Sequence, residues 1–429
     1  MESSMNIRQS ELDSGAAHTL PQTRVNGIFI GTMALSLLGV WLSVFAPIQV
    51  LLAQQMELIA PLGKEAALGM VMGLGSAVAL LAQPVIGAMS DRTTLRLGRR
   101  HPWNLAGIAL GALALVMLGQ QTSLPGVLLW WGVVQLGTSA VLCSVTAAVP
   151  DRVPLQQRAT VSAWNGVTLS LAVVIGAMLT TVFTSGIASG YLLVAVGFVL
   201  FSTPFILATR DQSITKASLP PFSFSGLLKS FWISPKKHPD FAWAWSTRFL
   251  VGLSSATGTM FFLYFLRDGL QYEKLFPGER AEDGLLILVL IYTTAVVVSA
   301  FVSAIISDRT GRRRIIVVLA GLVMGCASLL LALWQSWPMA MLSSTVLGLG
   351  YGAYVAVDQA LISQVLPSSS DHAKDLGVIN IAIVGPQILA PIICALLITQ
   401  LGGYHALYAF SGLVGILGGL LVFKIKSVP

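Results

Sequence analysis

Two opposite charges lie where charges are scarce. Arg248 stands about eight residues in from the start of one long apolar run, and Asp358 about nine residues from the end of another. A lone charge at such depth costs ~2.5–3.5 kcal/mol even on a lenient insertion scale, so each requires a partner or a water-filled cavity. Together they offer two chemistries: a carboxyl group can take up and release a proton, and a guanidinium can hold an anion. We expect the two to face each other, with Asp358 carrying a coupling proton when the pair breaks. The alternative is a permanent ion pair that only ties helices together.

Polar side chains recur at helical spacing near these charges. Tyr351, Tyr354 and Asp358 fall at i, i+3 and i+7, on one face of a helix, with Gln359 following. Asn380 and Gln387 also share a face, and Tyr264 lies further along the run that carries Arg248. Gln49, Gln83, Gln135 and Asn165 supply amides from the first half of the chain. Amides, hydroxyls and aromatic rings suit a neutral polyhydroxylated ligand, through hydrogen bonds to its hydroxyls and stacking on its C–H faces. Against this stands a plainer role, because buried Gln and Asn often only bond neighbouring helices, at ~0.6–2 kcal/mol each. Arg248 would become an anion-binding group if the solute carried a carboxylate or phosphate.

The elements that position these residues are membrane spans. Hydrophobic residues make up 55% of the 429 and charged residues only 10%, and the mean hydropathy is +0.80; soluble domains carry about 25% charge. Apolar runs of about 20 residues recur, each enough to cross a hydrocarbon core about 30 Å thick. They lack the period-two alternation of barrel strands, so the expected fold is all-α and polytopic. Twelve spans are predicted: 26–53, 65–90, 103–122, 125–149, 159–185, 189–209, 241–267, 283–306, 315–335, 339–366, 376–400 and 404–424. Twenty of the 25 Lys and Arg fall on one side, and four (Lys64, Arg267, Lys274 and Arg280) fall opposite. That asymmetry predicts that both termini are cytoplasmic. It also accounts for the net charge of +7 by topology, so no nucleic acid need be invoked. The first 25 residues are polar and run straight into a long span, which predicts no cleavable signal peptide.

The chain is duplicated. Gly87-Ala-Met-Ser-Asp91-Arg92 through Arg96, Gly98, Arg99 and Arg100 closes the second span, and Ser307-Asp308-Arg309-Thr310-Gly311-Arg312 closes the eighth. The two aspartates are 308 − 91 = 217 residues apart. Repeats inserted the same way round pack about an axis along the membrane normal, with the substrate site at their interface. The expected division is an N-tail (1–25), a six-helix bundle (26–209), a linker lying in the cytoplasmic interface (210–240), a second bundle (241–424) and a C-tail (425–429).

The loop Gly87-x-x-x-Asp91-Arg92-x-x-x-Arg96-x-Gly98-Arg99-Arg100, repeated after the eighth span, resembles the loop 2–3 motif of the major facilitator superfamily. The likeness covers nearly the whole chain. In its ending, Arg99-Arg100-His101-Pro102-Trp103, the loop looks most like the glycoside–pentoside–cation symporters and the related sucrose-type transporters. The resemblance implies two pseudo-symmetric six-helix bundles, a central cavity lined by spans 1, 4, 7 and 10, and uptake of a sugar or glycoside with a cation. It also implies a cytoplasmic gate. Asp91 would sit near the N-terminus of span 11, Arg96 or Arg100 would reach Asp151, and Asp308, Arg309 and Arg312 would repeat the device. A carboxylate is favoured at the positive end of a helix dipole. The chain departs from melibiose-type members in span 2, where Ala79-Leu-Leu-Ala-Gln83-Pro84 carries no carboxylate for sodium. Span 5 also lacks the Gly-Pro-rich motif of drug/proton antiporters.

These features together predict a proton-coupled symporter of a sugar, glycoside or other small polar metabolite, multi-pass in the plasma membrane (the inner membrane in a Gram-negative source). Its expected partners are that solute, a proton and the bilayer, and it is expected to act as a monomer. Rival readings are an exporter of a drug or metabolite and, more remotely, a non-transporting sensor or a lipid flippase. There is no nucleophile–base pair, metal cluster or nucleotide loop, so an enzyme is not expected, nor a metal or other cofactor. The three cysteines lie inside predicted helices without metal or redox spacing.

Overall fold

The computed structural model describes residues 24–182, 186–211, 237–364 and 372–426; no strand forms among them. Twelve helices are long and apolar enough to cross a membrane. They are α1 Gly27–Ile59, α2 Lys64–Asp91, α3 His101–Gly119, α4 Leu124–Arg152, α5 Leu155–Val182 and α6 Ile187–Ala208, followed by α7 Pro239–Gly269, α8 Ala281–Thr310, α9 Arg313–Leu333, α10 Trp337–Gln364, α11 His372–Gln400 and α12 Gly403–Leu421. Helix is the form that satisfies every backbone group within one apolar segment. Local signals set where several of these helices begin. The Asn26 side chain accepts from the Phe29 N–H at 2.9 Å, and Asp283 accepts from the Arg280 N–H at 2.8 Å. Most of the linker expected at 210–240 falls outside the described residues.

The duplication reappears in the packing. In the first six helices α1 packs on α5 and α6, α2 on α4, and α3 on α4 and α6. Advancing each label by six gives the pairings of the second set: α7 on α11 and α12, α8 on α10, and α9 on α10 and α12. Between the halves α2 packs on α11 and α5 on α8, and these two contacts also exchange under the same operation. The α2–α11 contact requires glycine. A Cβ at Gly69 would stand 2.8 Å from the carbonyl oxygen of Pro391, so only a bare backbone permits that approach.

The apolar core is not symmetric from face to face. One continuous cluster runs through the first half, as far as Ala148 and Phe205 near the Asp91 loop, and joins the second half on the opposite face. There Leu51 and Met56 of α1 and Leu68 of α2 belong with Phe265 of α7, Leu288 of α8 and Tyr408 of α12. Near the basic face the clusters separate. Phe241, Val317, Val357 and Ile379 belong to a cluster of the second half alone, and Ala82, Ile86 and Ala140 to one in the first. The halves are therefore fused at one end and distinct at the other.

Helices α1 and α7 hold equivalent places, and each contains a π-helical turn, Pro47–Leu51 in α1 and Phe265–Gly269 in α7. Such turns often mark functional positions inside helices. Beyond its π turn α1 runs on to Ile59, past the expected end at residue 53. The extra turns carry Gln54, Gln55 and Glu57, whose polarity hides them from a hydropathy count although each has a partner.

Candidate functional site

The deepest charges form a pair. Arg248 of α7 places Nε 3.1 Å from Oδ2 of Asp358 on α10, and their side chains are 13% and 4% exposed. Aromatic rings surround the pair. Tyr351 and Tyr354 are one turn apart on α10 with ring centroids 6.4 Å apart, and Tyr292 of α8 stacks on Tyr351 at 6.3 Å. One turn before Arg248, Trp245 stacks on Phe249 at 5.3 Å and donates its indole N–H to the Val378 carbonyl at 2.8 Å. That bond ties α7 to α11 beside the charges. Every one of these residues belongs to the second half.

The first half supplies a smaller polar group. Asn165 of α5 accepts from the Trp41 indole N–H of α1 at 3.0 Å. Gln49 sits within the π turn of α1, half-buried, and Gln135 of α4 is buried. Gln83 of α2 is half-buried, and its carbonyl accepts from the Cys143 thiol at 3.4 Å. Gln387 is exposed on α11. The side chains of Gln359, Asn380 and Asp308 lie outside the described residues.

Tyr264 does not join the residues with which the sequence grouped it. It is fully buried at the far end of α7, where its hydroxyl donates to the Ala53 carbonyl of α1 at 2.8 Å and Lys64 Nζ lies 4.8 Å from its ring centroid. The reason is length. From Arg248 to Tyr264 the chain climbs 16 residues, about 24 Å at 1.5 Å per residue.

Around Tyr264 lies a seal between the halves, formed by cations that the sequence uses only to count topology and by carboxylates to which it assigns no role. Arg267 of α7 pairs with Glu57 of α1, and its Nη2 lies 2.5 Å from Oε1 of Glu282 on α8. Lys64 of α2 lies 3.0 Å from Glu57 and 2.7 Å from Asp268 of α7. Gln54 donates to Glu282 at 2.8 Å, and the Arg280 guanidinium donates to the Thr181 carbonyl of α5 at 2.7 Å. Isolated surface ion pairs are worth about 0–1 kcal/mol. This one is a network whose members are partly or wholly withdrawn from solvent, Glu282 being 4% exposed. A sequence signal existed: equivalent helix ends carry opposite charges, Glu57 against Arg267 and Lys64 against Glu282.

On the basic face Arg100 is a hub. It lies 2.5 Å from Asp91 through Nη2 and 3.1 Å from Asp151 through Nε, and it donates to the Ser90 hydroxyl at 3.0 Å. Arg99 also reaches Asp151, at 2.5 Å. Helices α2, α3 and α4 are thus tied together inside one half. Arg96 is exposed, Gly87 and Arg92 are half-buried, and Arg309 and Arg312 of the second copy are exposed. The partner of Asp91 here is Arg100. The start of α11, where the resemblance placed that carboxylate, has side chains outside the described residues.

Twelve helices, two related bundles and a buried ion pair define a polytopic membrane protein of the transporter kind. The Major Facilitator Superfamily profile matches residues 25–279 and again 278–429, and the chain belongs to that family. Among curated proteins it is similar to an uncharacterised MFS-type transporter, YfiU of Bacillus subtilis (strain 168), at 30% identity over 133 residues. That match spans 31% of this chain and only 25% of the relative. Among solved structures the fold is similar to the nucleoside transporter NupG, with a TM-score of 0.73 at 14% identity over 93% of this chain and 100% of that one. A POT family transporter in complex with 5-aminolevulinic acid gives 0.74 at 15% identity over 94% and 98%. The peptide transporter POT in complex with sulfate gives 0.74 at 13% identity over 95% and 96%. Membership of that family indicates a transporter rather than an enzyme. Identities this low establish the fold alone, and the closeness to glycoside and sucrose symporters is an inference from the loop motif.

Proposed function

We propose that the protein is a secondary active transporter working by alternating access, and that it couples movement of a small polar solute to a proton. The Arg248–Asp358 pair carries this proposal, because a carboxylate 4% exposed inside a membrane helix is compensated there by the Arg248 guanidinium. When that guanidinium moves away, protonation is the cheapest way for the buried acid to remain. Tyr351, Tyr354 and the Asn165–Trp41 pair provide hydroxyl, aromatic and amide groups, a set that suits a sugar or glycoside. Gln49, Gln83, Gln135, Gln359, Asn380 and Gln387 extend the candidate contacts.

The seal and the shared apolar core support a state open on the basic face, with the opposite face closed by Arg267, Glu57, Lys64 and Asp268. The charge distribution supports a cytoplasmic basic face and a place in the plasma membrane, and the fold suits a monomer. The test is uptake into proteoliposomes from a panel of sugars and glycosides under an imposed proton gradient or an imposed sodium gradient. Accumulation driven by protons and abolished in Asp358→Asn is expected. Accumulation driven by sodium alone, or unaffected by that substitution, removes proton coupling through Asp358.

A further inference from the structure

Asp211, at the start of the expected linker and the last residue described before residue 237, reaches back to the motif loop. Its Oδ2 accepts from the backbone N–H of Arg100 and, at 2.9 Å, from that of His101. These donors open α3, and no side chain of the Arg100 cap residue itself serves them. Pro102, next in line, has no N–H to offer. A carboxylate there satisfies both donors and meets the positive end of the helix. The end of α6 is held a second time, since the His101 ring lies 3.0 Å from the Thr209 hydroxyl.

Gly98 makes the approach possible. Its φ is +97°, a conformation that side chains disfavour, and a Cβ at that position would collide with the Asp211 carboxylate. The glycine of the loop motif and the aspartate beyond α6 are thus sterically matched partners from sites 113 residues apart (211 − 98). A small pocket beside them is lined by Arg99, Arg152, Phe205 and Thr209.

We propose that Asp211 is a positioning residue of the basic-face gate. By capping α3 it holds the backbone of Arg100, whose side chain then keeps Asp91 within its own half. Loss of the cap frees Asp91 for a partner across the interface and biases the protein away from the state with the opposite face sealed. The proposal rests on alternating access, but its test needs no solute and no ion gradient.

The experiment uses the full chain in liposomes, with the native cysteines replaced and Met56→Cys, wholly buried in the seal, as the reporter. A membrane-impermeant maleimide labels that position only when the seal opens. Asp211→Ala and Gly98→Ala are each expected to speed labelling about two- to thirtyfold, the range spanned by a lost helix cap. Asp211→Asn keeps an acceptor oxygen and is expected to remain within about twofold of the parent. In an Asp91→Asn background neither alanine substitution should change the rate, because no carboxylate remains to be released. Parental labelling rates in Asp211→Ala, a shift that persists with Asp91→Asn, or an Asn variant as displaced as the Ala variant each overturn the proposal. Should Asp211→Ala fail to fold, Gly98→Ala carries the same expectation. If the protein changes face by no alternating motion, Met56→Cys stays unlabelled in every variant, Glu57→Gln included; in that case alternating access itself has failed, and with it the role of Asp211.

Discussion

Asp358 receives Arg248 through Nε at 3.1 Å, and the two residues belong to the same half of the molecule. Breaking this pair therefore parts α7 from α10 and leaves the contacts between the halves untouched. In the proposed cycle a proton on Asp358 acts through how α7 packs within its own bundle. The indole of Trp245, bonded to the α11 carbonyl of Val378, places that change next to the interface with α2.

Neutralising the acid and removing its partner should have different consequences. Asp358→Asn is expected to retain solute exchange while losing proton-driven accumulation, measured as counterflow against gradient-driven uptake. Arg248→Ala leaves a buried carboxylate without its counter-charge and should cost about 3–5 kcal/mol, visible as a lower melting temperature in detergent. The double variant Arg248→Ala/Asp358→Asn should recover most of that loss. A double variant no more stable than Arg248→Ala would show that the pair does not compensate itself.

Glu57 serves two cations at once, Arg267 across the interface and Lys64 within its own half. Glu57→Gln should loosen the seal and speed maleimide labelling of Met56→Cys about fivefold, equivalent to ~1 kcal/mol for a partly exposed pair. Raising the salt concentration should reproduce part of this effect in the parent protein, since exposed members of the network are screened.

Gly69→Leu tests the fused end of the halves by packing rather than charge. A side chain there meets the Pro391 carbonyl of α11, and overpacking of this kind costs about 1–3 kcal/mol. Single-molecule distances between labels at the far ends of α2 and α11 should show the sealed population falling relative to the parent.

Asn165→Ala removes the acceptor of the Trp41 indole and leaves that donor unpaired, at a cost of about 1–3 kcal/mol if the donor stays dry. With these groups in contact with solute, the concentration dependence of uptake should show a raised apparent KM at nearly constant maximal rate. A change in maximal rate alone would assign Asn165 to helix packing.

Part of this was legible in the chain because it depends on local or additive properties. Hydropathy sums along a segment, so the spans appear without knowledge of their neighbours. The Arg248–Asp358 pairing follows from the cost of burying either charge alone. The same summation failed at the end of α1, where Gln54, Gln55 and Glu57 lower the apolar average although the helix continues through them. Tyr264 was misgrouped for a related reason: residues on one helix share a name and a span but not a depth.

The amino-acid sequence alone determined twelve apolar helices, their duplication and the one-sided distribution of basic residues, because the bilayer imposes those features on each segment separately. Only the tertiary structure decided which charges meet. Glu57 finds Arg267, Lys64 finds Asp268 and Asp211 finds the start of α3 because helices remote in sequence cross at particular depths. Interactions of a few ångströms depend on those crossings, and no periodicity along the chain encodes them.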